Sequence, residues 1–231
     1  FIVGFAATFT YVTFFMLLMP LELYFVYCNI SALIYGEYTV ILFSLAILTL
    51  YIWYVIKTKN APFNGRGNPA KWLQESTLYK VAARYRPTRL HKTVELPSDK
   101  QYIFGVHPHS TIPTFVSIAL MTEGCNFSQV FPGIKRLGLA ASSNFIFPIW
   151  RETYLWLGYV DASKRTALNV LKRGLSLVIL IGGEQEMIKA KPNENILCLK
   201  NRKGFARLAL ETGCSLVPVF AFRANDCYSS L

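Results

Sequence analysis

Two of the chain's three histidines stand on either side of one proline, in His107-Pro108-His109-Ser110. An imidazole with an ordinary pKa of about 6.5 can take and return a proton near neutral pH, which is general-base chemistry. Two imidazoles at this spacing also match half of a zinc set. No other histidine-rich or paired-cysteine segment completes one. Two further groups stand where chemistry could use them: Glu186, just past Gly182-Gly183, and the pair Asn225-Asp226. The cations Lys189, Lys191, Lys200, Arg202, Lys203 and Arg207 follow the Gly-Gly turn. A cationic patch near a histidine suits a phosphate-bearing substrate, and equally a solvated or membrane-facing surface.

These side chains need elements to hold them. Tyr102–Val106 is apolar, β-branched and aromatic, and reads as a short buried strand running into the histidines. Ile112–Glu123 reads as a helix with Pro113 in its first turn and Gly124 past its end. Trp72–Tyr85 has amphipathic helical spacing. Ser163–Leu175 reads as a helix capped by Ser163, Ser176–Ile181 as a buried strand, and Lys200–Thr212 as a helix ending at Gly213. Leu216–Phe222 reads as a strand in which Pro218 points to a sheet edge or a bulge. Strands alternating with helices predict an α/β domain with a mostly parallel sheet, whose ligands bind at the carboxyl ends of the strands.

Charge and hydropathy are segregated. The net charge is +11 and 53% of residues are hydrophobic, yet no Lys or Arg precedes Lys57. Before it stand only two acids, Glu22 and Glu37. Phe1–Leu21 and Tyr38–Ile56 are uncharged and long enough to cross a bilayer core. They predict a transmembrane helical hairpin over 1–56, with its turn in the polar stretch between Glu22 and Glu37. A basic, Gly/Pro/Asn-rich linker over 57–71 and a domain over 72–231 follow. Lys57, Lys59, Arg66 and Lys71 follow the second span, so the turn is expected on the lumenal side and the domain in the cytosol. No cleavable signal peptide is visible, and the chain reads as a fragment missing both termini. Five cysteines without a CxxC spacing fit a reducing compartment.

No Walker A motif, GxSxG elbow or GxGxxG fingerprint occurs. The hairpin and the lack of a basic–aromatic repeat argue against nucleic acid as a partner. A histidine base, cationic anchors and a membrane hairpin together point to transfer from a water-soluble phosphorylated donor to a membrane-dissolved acceptor.

With these residues assembled, the chain resembles the type-2 diacylglycerol acyltransferase family, which includes monoacylglycerol and wax-alcohol acyltransferases. YIFGVHPHS at 102–110 is similar to its YIFGxHPHG signature, and Tyr85-Arg86-Pro87 with Leu90, Lys92-Thr93 and Leu96-Pro97 to the block upstream. Pro148 with Arg151-Glu152 resembles its PxxRE segment, and Gly182-Gly183 with Glu186 its GGxxE pattern. NRKGFARLAL at 201–210, followed by LVPV at 216–219, resembles its RKGF…LVPV block. Three departures stand out. Ser110 occupies a usual glycine, Arg223-Ala224 replace a common Gly-Glu before Asn-Asp, and the chain stops about where the family continues.

The resemblance implies acyl transfer from acyl-CoA, as co-substrate, to the hydroxyl of diacylglycerol, forming triacylglycerol without metal or other cofactor. It implies a glycerolipid-acyltransferase-like domain at the endoplasmic reticulum membrane and on lipid droplets, compatible with a homo-oligomer. The related glycerolipid acyltransferases place an aspartate five residues after the histidine. Here those positions hold Ile112 and Thr114, so Glu186 is the expected orienting carboxylate. His109 is the expected base, being nearer the Ile112 helix, with His107 structural or assisting. Ser110 or N–H groups at the start of that helix are expected to hold the oxyanion. Arg151, Glu152, Gly182, Gly183, Arg202, Lys203 and Asn225 are expected to bind substrate, with Arg202 or Lys203 on a CoA phosphate. Other acceptors remain open: monoacylglycerol, a long-chain alcohol or a lysophospholipid. So does a non-catalytic protein that binds neutral lipid or membrane.

Overall fold

The structure, a computed structural model, describes residues 23–85 and 87–227. The expected first span and Arg86 lie outside the described residues. The chain divides into two compact units at Asn60/Ala61.

The first unit contains helix α1, Leu23–Tyr35, and helix α2, Tyr38–Thr58. At 21 residues α2 is about 31 Å long, enough to cross the hydrocarbon core, and Ser44 is its one buried residue. It is the one described helix long and apolar enough to do so. The polar stretch expected as a turn is instead mostly helical. Asn29 donates to the Phe25 carbonyl one turn back, so it sits within α1 without interrupting it. The break falls at Gly36, whose φ of +71° suits glycine, and at Glu37.

The second unit is an α/β domain. Its five strands are β1 Tyr102–His107, β2 Arg136–Ala140, β3 Tyr159–Asp161, β4 Ser176–Leu180 and β5 Ser215–Phe220. They form one parallel sheet in the order β3-β2-β4-β1-β5. β1 lies between β4 and β5, with Gly105 opposite both Ile179 and Pro218. All six β1 residues are buried, the usual state of an inner parallel strand. Pro218 lies in edge strand β5, where its missing N–H is tolerated.

The two sheet faces carry separate cores. Alternation sends Phe104, Val106 and Val178 to one face, against Val116, Leu120, Leu155 and Phe127 of α6 (Phe127–Val130). Ile103, Leu177 and Val160 reach the other, against α8 (Lys164–Leu171) and α10 (Gly204–Thr212). Ser163 caps α8 as expected, accepting the Thr166 N–H at 3.4 Å.

Three helices depart from expectation. The amphipathic stretch at 72–85 is two helices, α3 Lys71–Gln74 and α4 Thr77–Tyr85. The second is opened by Ser76, whose hydroxyl accepts the Leu78 N–H. The helix after the histidines starts later, as α5 Thr114–Val116, and widens into a π-helical turn over Ser117–Met121. α10 begins at Gly204, so Lys200, Arg202 and Lys203 precede it. Residues 61–70, expected as linker, are held by the domain. The Pro62, Phe63 and Gly65 carbonyls accept from Asp161, Thr166 and Arg173, and Ala70 donates to Trp156.

Candidate active site

Parallel strands bring every βα connection to one edge of the sheet. That carboxyl edge holds His107 at the end of β1, Glu186 in α9 (Gly183–Ile188) after β4, and Asn225 after β5. Arg151 and Glu152 open α7 (Trp150–Leu157) after β2, on the same edge by topology.

The centre is Glu186, only 1% exposed. Its carboxylate lies 3.1 and 3.3 Å from His107 Nδ1 and accepts the His109 N–H at 2.8 Å and the Cys198 N–H at 2.9 Å. Gly182 makes this possible: a Cβ there would lie 2.2 Å from the Glu186 carboxyl carbon. Burial alone would raise the Glu186 carboxyl. Hydrogen bonds from His107, Cys198 and His109 outweigh it and hold the group below the ordinary carboxylate value.

An ionised carboxylate only accepts hydrogen bonds, so the His107 proton sits on Nδ1. Nε2 of the neutral ring then carries a lone pair. That atom is buried and has no partner among the described residues. Buried polar atoms in native proteins are nearly always paired, so this one can accept from a donor that the described residues do not supply. His109 is half-buried and turned elsewhere, its Nδ1 2.8 Å from the Ser110 carbonyl oxygen. The carboxylate's ring partner is thus His107, while His109 offers it only a backbone N–H.

Ser110 is 1% exposed at φ +60°, a conformation that favours glycine. Its hydroxyl donates to the Ala224 carbonyl at 2.9 Å, tying the histidine turn to the segment after β5. The second buried orphan is Asn225 Oδ1; the Nδ2 of that side chain donates to the Glu194 carbonyl at 2.7 Å. Arg202 is half-buried, with Nη2 3.8 Å from where a Gly183 Cβ would stand, whereas Lys203 is exposed. The structure therefore links His107, His109 and Glu186 directly, ties Ser110 to the segment that holds Asn225, and sets Arg202 near Gly183. Arg151 and Glu152 are buried against each other at 2.5 Å.

One participant in this network and one clamp beside β3 escaped the sequence reading. Cys198 acts through its backbone N–H, for which a residue type gives no signal. Asp161 ends β3 and clamps neighbouring turns, accepting the Ser142 hydroxyl and the Ser163 N–H. An acid two residues before a Ser cap was its only trace.

The profile of the family described as diacylglycerol acyltransferase matches residues 37–231. The chain belongs to that family. Diacylglycerol O-acyltransferase 1 of Schizosaccharomyces pombe is 41% identical over 169 residues, covering 72% of this chain and 49% of that protein. Diacylglycerol O-acyltransferase 2 of Danio rerio is 38% identical, over 80% of this chain and 52% of its own length. The human 2-acylglycerol O-acyltransferase 3 is 35% identical, over 71% and 49%. This diacylglycerol acyltransferase family member spans about half the length of the curated relatives it matches. No solved structure matches it.

Proposed function

We propose that this protein transfers a fatty acyl group from acyl-CoA to the free hydroxyl of diacylglycerol, with His107 as general base. The observation that carries the reading is the buried, unpartnered Nε2 of His107, held by Glu186 through Nδ1. His107 Nε2 takes the hydroxyl proton as the oxygen attacks the thioester carbonyl carbon. The tetrahedral intermediate expels the CoA thiolate, which recovers the proton from the imidazolium. The products are triacylglycerol and free CoA, and the base is restored. Glu186 stabilises the transient imidazolium and fixes the ring's tautomer. What supports His107 over His109 is the carboxylate, which meets only the first ring.

Arg202 and Lys203 hold a CoA phosphate, and Asn225 Oδ1 accepts a hydrogen bond from substrate. α2 and the expected first span anchor the protein in the endoplasmic reticulum membrane as a hairpin, with the domain facing the cytosol. A second reading takes monoacylglycerol as acceptor, favoured by the similarity to a relative named 2-acylglycerol O-acyltransferase. Incubating purified protein with labelled acyl-CoA and competing diacylglycerol, monoacylglycerol and long-chain alcohol tests both. Triacylglycerol as the main product is expected. Absence of any acylated lipid would overturn the reading.

A further inference from the structure

Between α9 and α10 the chain runs from Lys189 to Lys203 without regular secondary structure. This strap is pinned at two places. The first is the segment after β5: Asp226 accepts the Asn193 N–H at 2.8 Å, and Asn225 donates to the Glu194 carbonyl. The second is Glu186, which accepts the Cys198 N–H. Ile196 and Leu197 bow outward between the two pins, 38% and 39% exposed, and Leu199 beyond them is 39% exposed. All three lie within two residues of Cys198, whose backbone N–H keeps its bond to the carboxylate.

Charge flanks the apolar bow. Lys189, Lys191 and Lys200 are exposed and have no acidic partner among the described residues. The one acid in the same run is Glu194. Apolar side chains bracketed by unpaired lysines match the boundary of an anionic bilayer, where chains meet headgroups. An ordinary solvated loop would have little reason to present three branched aliphatic side chains beside a buried carboxylate.

We propose that this strap is a membrane-contact element: Ile196, Leu197 and Leu199 enter an anionic lipid surface, and the lipid acceptor reaches His107 past them. The entry route rests on the acyl-transfer reading; the membrane contact does not. The strap places lipid directly over the candidate site, because one backbone N–H joins the inserted leucines to Glu186. Asn225 and Asp226 act as positioning residues that hold the other end.

The test reconstitutes the full-length protein in phosphatidylcholine bilayers, with and without phosphatidylserine, that contain a phospholipid with a diazirine in its acyl chain. Irradiation and peptide mass spectrometry should find adducts within 195–199 as well as in α2, increasing with phosphatidylserine. Labelling of α2 without the strap overturns the membrane contact, and labelling indifferent to phosphatidylserine overturns the role given to the lysines. This readout needs no catalysis, so it stands if acyl transfer fails. For the entry route, replacing both Ile196→Ser and Leu197→Ser should raise the acceptor KM about tenfold and leave the acyl-CoA KM unchanged. An unchanged acceptor KM in bilayers overturns that route.

Discussion

Two buried acid–base pairs lie at the carboxyl edge of this sheet, and they are built for opposite ends. Arg151 and Glu152 are neighbours in sequence, 6% and 2% exposed, and meet at 2.5 Å. A guanidinium never gives up its proton at physiological pH, so that pair can hold structure together but cannot shuttle protons. His107 and Glu186 come from separate elements and meet through one ring nitrogen, leaving the other buried and unpaired. Burial of charge is common to both pairs. What distinguishes the second pair is the unspent lone pair on Nε2.

That contrast can be broken by mutation. The largest effect is expected from His107→Ala, which should lower turnover about 100- to 10,000-fold. The protein should stay folded by circular dichroism, because Glu186 keeps two backbone donors. His109→Ala should lose much less; equal losses would erase the distinction between the rings. Arg151→Ala should instead lower stability by up to about 3–5 kcal/mol, the range for removing one member of a buried ion pair. A denaturant midpoint equal to the parent's would break the comparison from the other side.

Arg202→Ala should raise the acyl-CoA KM by about 10- to 150-fold, as loss of a charge-assisted hydrogen bond of about 1.5–3 kcal/mol implies. Measured in neutral detergent, the acceptor KM should stay where it was. An unchanged acyl-CoA KM there would return Arg202 to a surface role.

Acid sharpens the same comparison. Glu186 is held below its unfolded value, so the native state binds fewer protons across the window between them. Its contribution is fully present above the ordinary carboxylate value of about 4.3 and is lost as pH falls through the lowered folded value. Glu186→Gln should therefore show a shallower fall of stability with pH across that acid window. Parallel acid-unfolding curves would contradict the assignment. The smallest effect is expected at Ser110. Ser110→Gly relieves a left-handed serine, worth about 1–2 kcal/mol, but loses the bond to Ala224, worth about 0.5–1.5 kcal/mol. A melting temperature close to the parent's is the expected result.

Much of the fold was legible in local pattern. The Tyr102–Val106 run, the Ser163 cap, the Ser176 strand and Pro218 at an edge each depend on a few neighbouring residues. Gly182-Gly183 with Glu186 was also readable, since only glycine lets that carboxylate fold back. What pattern cannot carry is pairing across long separations. Nothing near His107 tells that its Nδ1, rather than that of His109, will face Glu186. β3 is three residues long, too short for a period, and is defined by its bonding to β2. Lys200, Arg202 and Lys203 were read as the start of a helix that in fact begins at Gly204, and the path of 189–203 depends on backbone bonds that residue types do not signal. The stretch between Glu22 and Glu37 was read as a turn from its scattered polar residues, yet the side chain of Asn29 finds a carbonyl one turn back and α1 runs through it.

The parallel sheet also sets a timetable. His107 and Glu186 are 79 residues apart, and the tie from Ser110 to Ala224 spans 114. A ribosome adding about 5–20 residues per second needs about 4–16 s to reach the carboxylate after the histidine. Until β4 is made, late in that interval, β1 is a buried-type strand with neither neighbour in place. α2 is synthesised before any of this and is available for membrane insertion throughout. The nascent chain thus carries α2 before its histidine has a partner, and the candidate site is complete only once Asn225 has emerged.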